Sequence, residues 1–358
     1  MNNKGKTLVV LSPAFPAKES ETYWVPSQQL LVKTLKKNFP DWNITVLSFI
    51  YPYAVSDYAW HGIRVSSFHG SRYKKWNRLL LWWKIWRKLN GLRRRENLDG
   101  ILSFWCKECA LVGSYFARFH GISHHTWICG QDARKMNSYV KFIRPKPAEL
   151  VAISDFTADD FYRNHGIKPL YIIPNAIDEN SFSSIPHQAR DIDLLGVGAL
   201  IPLKQFDILV NLTKELKEQF PTIRVVICGK GEEKDNLQAL ITKQGLETNI
   251  RLTGALPREQ VLELMQRTKL LVHPSSYEGF STVCLEALYA GSQVISFTKP
   301  MNQEIRNWHI VRNAAEMKDK VLELLNAGLV KYEPVLVYSM DETANKMMQL
   351  FNREPEPH

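Results

Sequence analysis

The chain contains no apolar run approaching the ~18–20 residues that cross a bilayer, so none of its own segments is expected to span a membrane as a helix. The nearest imitation of a secretion signal, Thr7-Leu-Val-Val-Leu11 behind Lys4 and Lys6, is too short and ends at Pro13; it predicts a first β-strand instead. Cysteine is sparse: the five, at 106, 109, 129, 228 and 284, are scattered and odd in number. That suits a reducing cytoplasm better than a disulfide framework. Cys106-x-x-Cys109 lacks a second pair or nearby histidines, and a structural zinc site needs four ligands. Asp191-Ile-Asp193, the one Asp-x-Asp spacing, falls where a strand begins, at the end away from the ligand crevice of an open α/β sheet. No metal and no resident cofactor are expected. Acidic residues are missing altogether from residues 71–95, which hold ten Lys/Arg and four of the ten tryptophans. Without that stretch the formal net charge of +10 falls to zero.

What remains is ordinary for globular protein: 45% apolar and 23% charged residues over 358 positions, enough for two domains with separate cores. Strand patterns at 7–11, 44–49, 63–67, 99–104, 124–128 and 149–153 alternate with helix periods near 26–37, 72–95, 107–119 and 155–165. This rhythm predicts a doubly wound parallel sheet. Ser154 reads as the N-cap of the last of these helices. Residues 179–190, rich in Ser, Asn and Pro, read as a linker. A second alternation follows: strands at 192–197, 224–228, 249–252, 269–273 and 293–297, with helices from about 205, at 258–268, at 280–290 and at 314–326, and a last amphipathic segment at 338–351. Gly229-Lys-Gly231 lacks the third glycine of a dinucleotide fingerprint and is weak alone.

The segment His273-Pro-Ser-Ser-Tyr-Glu278-Gly-Phe-Ser-Thr-Val-Cys-Leu-Glu286-Ala-Leu reads as strand, turn and helix of one βαβ unit. The backbone N–H groups of Gly279, Phe280 and Ser281 would then face an anion at a helix N-terminus. Glu278 and Glu286 flank it, roughly 12 Å apart along the helical path. Carboxylates are pure acceptors and can each take hydrogen bonds from two adjacent hydroxyls. The plain alternative is an amphipathic helix with two solvated glutamates.

Tyr277-Glu278-Gly-Phe-Ser-Thr-Val-Cys-Leu-Glu286 resembles the nucleotide-sugar site of the family 4 retaining glycosyltransferases. Leu150-Val-Ala-Ile-Ser154, Tyr171-Ile-Ile-Pro-Asn175-Ala-Ile-Asp178 and Leu195-Gly-Val-Gly198-Ala-Leu-Ile-Pro-Leu-Lys204 resemble the same family in the same order. The resemblance implies the GT-B fold, an α/β architecture of two Rossmann-like doubly wound domains facing across a cleft. Residues 1–178, with helix 338–352 packing back, would form the acceptor domain, and 179–337 the donor domain. It implies that Glu278 holds the donor sugar, Glu286 the ribose hydroxyls, and Lys204 the diphosphate beside Gly198. The turn at Gly254–Pro257 would pass near the base. Asp132 in Ile128-Cys-Gly-Gln-Asp132 would stand near the reacting sugar, or otherwise cap its own turn. The chain departs from the family pattern at Ala199, where an Arg is usual, at Cys129, where a His is usual, at Ala176, and after the first strand, where a glycine pair is usual. His124 and His125 lie within a strand, and at least one is expected to be buried and hydrogen-bonded.

The basic stretch has two readings. On a helical wheel Leu79, Trp82, Trp83, Ile85, Trp86 and Leu89 fill one arc, with Lys84, Arg87 and Lys88 opposite. That pattern suits an anionic membrane surface, with Trp82, Trp83 and Trp86 in the interface and Lys84, Arg87 and Lys88 toward headgroups. The same arc could cover the sheet; the lack of any acid favours membrane contact, and nucleic acid is not expected. The resemblance implies a retaining hexosyltransferase, expected to be metal-independent. It would act from a nucleoside-diphosphate sugar on a hydroxyl of a glycan or lipid-linked acceptor, in the cytoplasm at the inner membrane face. The alternatives are another GT-B nucleotide-sugar enzyme (an epimerase or phosphorylase-like protein) and an inactive membrane-surface binder of the same fold.

Overall fold

The computed structural model describes residues 5–22, 24–74, 77–182, 190–327 and 332–352. Lys75 and Trp76 of the basic stretch and residues 183–189 of the expected linker lie outside these. The chain divides into two compact units, residues 1–175 with 340–358 and residues 176–339.

The first unit contains β1 (Lys6–Ala14), α1 (Pro26–Asn38), β2 (Trp42–Tyr51), β3 (Val55–Trp60), β4 (Ile63–Phe68), α2 (Arg78–Arg95), β5 (Asn97–Phe104), α3 (Glu108–His120), β6 (Ser123–Ile128), α4 (Tyr139–Ile143), β7 (Leu150–Ala152), α5 (Asp155–His165) and β8 (Tyr171–Ile172). Its sheet runs β3-β4-β2-β1-β5-β6-β7-β8. Strands buried on both faces read as continuous apolar runs, which is why β1, β2 and β5 stand out in the sequence. β3 does not: it is an antiparallel edge strand, mostly exposed, closing on β4 through His61-Gly62 with φ of 45° and 72°. Two positive φ values in a two-residue loop match the right-handed strand twist. Ser154 caps α5, its side chain accepting from Thr157 N–H at 3.0 Å. His124 is buried with Nε2 2.9 Å from the Ser103 hydroxyl, and burial pushes its pKa down to about 3.

Helix α2 begins at Arg78, later than the expected 72, and residues 70–72 form a short 3-10 turn. Leu81, Ile85, Leu89 and Leu92 form its buried stripe and join Val9, Leu47, Phe49, Ile101, Val112 and Phe116 in the core. The expected single arc is therefore split. Ile85 and Leu89 cover the sheet, Trp82 and Trp86 are half-buried, and Leu79 and Trp83 are exposed. Lys88 is not turned outward as expected but bound to Asp57 of β3 at 2.8 Å. Lys84 donates to the Tyr73 hydroxyl at 2.6 Å.

Helix α11 (Met340–Asn352) belongs to this unit and packs on α1. Thr343 Oγ1 donates to the Pro174 carbonyl at 3.0 Å, and the Phe351 ring meets His125 edge-on.

The second unit contains β9 (Ile192–Val197), α6 (Phe206–Lys217), β10 (Val225–Cys228), α7 (Lys234–Lys243), β11 (Ile250–Gly254), α8 (Arg258–Gln266), β12 (Thr268–His273), α9 (Thr282–Tyr289), β13 (Gln293–Ser296), β14 (Trp308–Ile310) and α10 (Ala314–Asn326). The strands are parallel in the order β11-β10-β9-β12-β13-β14. Phe206, Leu209 and Val210 of α6 and Met317 and Val321 of α10 cover Leu194, Ile227, Leu270, Val272 and Ile295. Helix α7 carries Leu237, Leu240 and Ile241 at helical spacing and packs them on this core.

Gly100 of β5 tests the docking of α11. A Cβ there would lie 2.3 Å from Phe351 Cδ1 and 3.2 Å from Leu8 Cδ1, too close for a real contact. Gly100→Ala is expected to cost about 1–3 kcal/mol and to loosen the terminal helix, seen as a lower Tm and faster proteolytic loss of α11. An unchanged digestion pattern would show that the helix does not depend on this contact.

Candidate functional site

The second sheet reverses its strand order between β9 and β12. Open parallel sheets bind ligands outside the carboxyl ends of strands at such a reversal. The loop leaving β9 carries Gly198, Ala199 and Lys204, and the loop leaving β12 carries Glu278 to Ser281. The two loops are joined directly. Ser276 N–H donates to the Leu203 carbonyl at 3.0 Å, and Lys204 Nζ lies 2.5 Å from Glu278 Oε2. His273, the last residue of β12, sets Nε2 3.3 Å from the same oxygen, with the Ser275 hydroxyl 3.2 Å from that nitrogen. The motif marks Lys204 and Glu278 as separate contacts; their pairing and the role of His273 come from the fold, the position of His273 at the strand end before Pro274 being the one signal in the sequence.

Burial pushes the Glu278 carboxyl up, but the His273 hydrogen bond and the Lys204 charge outweigh burial and hold it down at about 2. Burial pushes His273 down, the hydrogen bond to Glu278 opposing and the Lys204 charge assisting. The imidazole is therefore neutral at pH 7. A carboxylate only accepts, so Nε2 carries the proton, and Nδ1 is left buried with no hydrogen-bond partner. Glu278 thus stays ionised across the physiological range, and the stability it contributes is lost only as pH falls from its ordinary value through about 2.

The glycines around the pair allow close approach of backbones. A Cβ at Gly229 would sit 1.8 Å from the Gly198 carbonyl oxygen, and one at Gly231 2.1 Å from the Leu200 carbonyl oxygen. Hydrogen bonds from Gly198 N–H to the Cys228 carbonyl and from Leu200 N–H to the Lys230 carbonyl zip the two strand-end loops together. The Gly-x-Gly pair therefore serves loop packing. Gly198 itself has φ of 154° and faces the Lys204 stem. Ala199 is exposed.

Helix α9 starts at Thr282, two residues later than expected, with Ser281 at its N-cap position but making no side-chain cap. Gly279, Phe280 and Ser281 are buried in the turn that enters it. The Phe280 ring packs on Trp308 and Tyr338, centroids 5.9 and 5.8 Å away, so that side chain belongs to the unit's interior. Glu286 is 5% exposed and pairs with Arg258, the first residue of α8, at 2.6 Å. Burial pushes its carboxyl up against the opposing Arg258 charge. Arg258 also went unnoticed in the sequence, where it is one more arginine after a proline.

Asp132, expected near the reacting sugar, is fully buried in the first unit. Its oxygens accept from the backbone N–H groups of Cys106 at 2.7 Å and of Cys129 and Gly130 at 3.0 Å. Burial pushes the carboxyl up and these amides pull it back. In this arrangement Asp132 ties the loop after β6 to the loop after β5, as in the turn-holding alternative. Cys129 Sγ receives Gln28 Nε2 at 3.4 Å, and burial pushes its thiol well up. Asp191 pairs with Arg267 at 2.5 Å and Asp193 with Lys269 at 2.7 Å, so both carboxylates of the Asp-x-Asp spacing are engaged by cations.

Arg258→Ala would strand Glu286 without its cation and raise its carboxyl further. A carboxyl held above its unfolded value contributes stability at low pH that is lost as pH rises through the folded value. The variant is expected to lose about 3 kcal/mol near neutral pH and less near pH 4, read as the drop in Tm at each pH. Equal drops would show that the pair contributes no electrostatic stability.

Residues 178–331 match the family model described as glycosyl transferases group 1. The gpi3 subunit of phosphatidylinositol N-acetylglucosaminyltransferase from Schizosaccharomyces pombe is 25% identical over 249 residues, covering 66% of this chain and 55% of that protein. Poly(ribitol-phosphate) alpha-N-acetylglucosaminyltransferase from Staphylococcus aureus is 21% identical over 248 residues, 64% of this chain and 49% of that protein. The chain thus spans about half the length of these curated relatives. Among solved structures, Anabaena HepE in complex with UDP and glucose covers 96% of this chain and 95% of its own, at 16% identity and TM-score 0.66. A glycosyltransferase from Rickettsia africae covers 98% and 94%, at 14% identity and TM-score 0.69. The two Rossmann-like units have the GT-B fold of these glycosyltransferases, and the glycosyl transferases group 1 match falls on the unit that holds Lys204 and Glu278.

Proposed function

We propose that this chain is a retaining glycosyltransferase. It moves a hexosyl group from a nucleoside-diphosphate sugar to a hydroxyl of a glycan or lipid-linked acceptor at a membrane surface, without a metal. The observation that carries the reading is the Lys204–Glu278 pair at the strand-order reversal of the second sheet. A fixed cation answers a diphosphate, and a carboxylate held ionised answers sugar hydroxyls. In the free protein each neutralises the other. An arriving diphosphate would draw the ammonium away and release the carboxylate for the sugar.

The bond from the anomeric carbon to the diphosphate oxygen breaks, and a bond from the acceptor oxygen forms on the same face. The acceptor proton passes to the departing phosphate. Negative charge grows on the diphosphate, where Lys204 and the positive end of α9, entered through Gly279, Phe280 and Ser281 beside Gly198, would oppose it. Glu286, oriented by Arg258, would take the ribose hydroxyls. The first unit would take the acceptor, with Asp132 holding its loops rather than reacting. Two of the relatives are named as N-acetylglucosaminyltransferases, one acting on phosphatidylinositol and one on a polyol phosphate. HepE is described with UDP and glucose. UDP-N-acetylglucosamine is therefore the first donor to try and UDP-glucose the second.

The test is release of UDP from labelled UDP-sugars in the presence of EDTA. The wild type is expected to turn over. Glu278→Gln and Lys204→Ala are expected to lose about 100-fold or more, with the larger loss of UDP affinity in Lys204→Ala. Turnover that requires a divalent metal, or that survives both substitutions, would overturn the reading. UDP binding without turnover would make the chain a binder.

A further inference from the structure

Helix α2 separates two troughs of opposite character on the first unit. On one side lies an apolar trough of about 880 Å³, walled by Trp82, Trp83 and Trp86 of α2, Leu111 and Tyr115 of α3, and Phe142 of α4. On the other lies a trough of about 960 Å³ against β3 and β4, lined by Lys84, Arg87 and Arg95. Trp83 belongs to both.

Two polar groups of the apolar trough are engaged by protein partners. Trp82 Nε1 donates to buried Glu108 at 2.7 Å, and the Tyr115 hydroxyl donates to the Phe142 carbonyl at 3.1 Å. Arg118 donates to the Ile143 carbonyl at 2.7 Å, which fixes the far end of α4. The walls are thus held in place yet open: Trp83 is 56% exposed, Phe142 64% and the neighbouring Phe119 76%. A cluster of large apolar side chains held open in this way is unusual on a surface that stays in water.

The charge around it has one sign. Helices α2 and α4 contain no acid, and the single acid of α3, Glu108, is consumed by Arg78 and Trp82. In the basic trough Asp57 and Glu96 are bound by Lys88 and Arg64. That leaves Lys84, Arg87 and Arg95 in excess, with Lys84 on a neutral phenol and the Arg87 guanidinium 5.6 Å from the Trp83 ring. Hydrocarbon walls on one side of a tryptophan and three surplus cations on the other match one kind of molecule.

We propose that the α2–α3–α4 trough seats a hydrocarbon chain of an anionic phospholipid, with its phosphate on Lys84, Arg87 and Arg95, so that the first unit docks on a membrane through this face. This deepens the membrane-surface part of the proposed function but does not depend on the donor chemistry, which belongs to the other unit. Tryptophan at the interface and cations toward phosphate follow the usual preferences of such surfaces.

The test uses the full chain with vesicles of phosphatidylglycerol, of phosphatidylcholine, and of phosphatidylglycerol brominated in the acyl chain. The wild type is expected to sediment with phosphatidylglycerol far more than with phosphatidylcholine, less so at high salt, and brominated chains should quench tryptophan fluorescence. Leu111→Glu and Phe142→Glu are expected to cut partition by about tenfold or more and to abolish quenching, with near-UV dichroism unchanged as the check on folding. Lys84→Glu with Arg87→Glu should remove the preference for phosphatidylglycerol. No vesicle binding by the wild type, or binding without quenching that both trough variants retain, would overturn the proposal. So would a dimer broken by the trough variants in a protein that binds no lipid, which would make a second copy the occupant. The UDP-induced shift in Tm, measured in the same samples, stands or fails separately and reports on the donor reading alone.

Discussion

The second unit is organised around an ammonium and a carboxylate brought together from the ends of two adjacent strands. Lys204 follows β9 and Glu278 follows β12, and only the adjacency of those strands lets the side chains meet. Much of the surrounding structure serves that meeting. Glycines at 198, 229 and 231 let the β9 and β10 loops lie backbone to backbone. The Ser276–Leu203 hydrogen bond joins the loop after β12 to the loop after β9. His273 contributes a third polar group that keeps the carboxylate ionised despite its burial. The electrostatic cost of holding a half-buried carboxylate is offset by Lys204 and His273, and the proposed function requires a ligand that answers both partners. A diphosphate attached to a sugar has that combination of charge and hydroxyls.

The first unit uses buried carboxylates differently. Asp132 and Glu108 each gather donors from separate segments: Asp132 three backbone amides, Glu108 a guanidinium and an indole. Both fix loops and helices near the carboxyl edge of the sheet. Glu108 also sets the angle of α2, since Arg78 and Trp82 lie on its first two turns. The same helix therefore has a buried aliphatic stripe toward the sheet and an outward tryptophan ridge, two roles that one apolar arc on a helical wheel cannot separate.

Most of the elements were legible because parallel strands buried on both faces are apolar throughout, as in β9, β10, β12 and β13. β3 was not, being an exposed antiparallel edge whose polar alternation looks like loop, and β14 spans only three residues. Of the site, Lys204, Glu278 and Glu286 were visible through motif likeness rather than through any local pattern. The Lys204–Glu278 pair joins residues 74 apart in sequence, and Arg258 reaches Glu286 from another helix; such meetings are set by strand order, which spacing does not encode. Asp132 was legible as an acid in a turn, but what it binds depended on the neighbouring strand's loop. The glycines at 229 and 231 read only as an incomplete dinucleotide fingerprint; in the structure they let the Gly198 and Leu200 carbonyls come close.

The most direct measurement is a crystal structure of the protein soaked with UDP. The account predicts the diphosphate between Lys204 and the start of α9, the ammonium moved from Glu278 to a phosphate oxygen, and the ribose hydroxyls on Glu286. A nucleotide bound elsewhere, with the Lys204–Glu278 pair left intact, would contradict it.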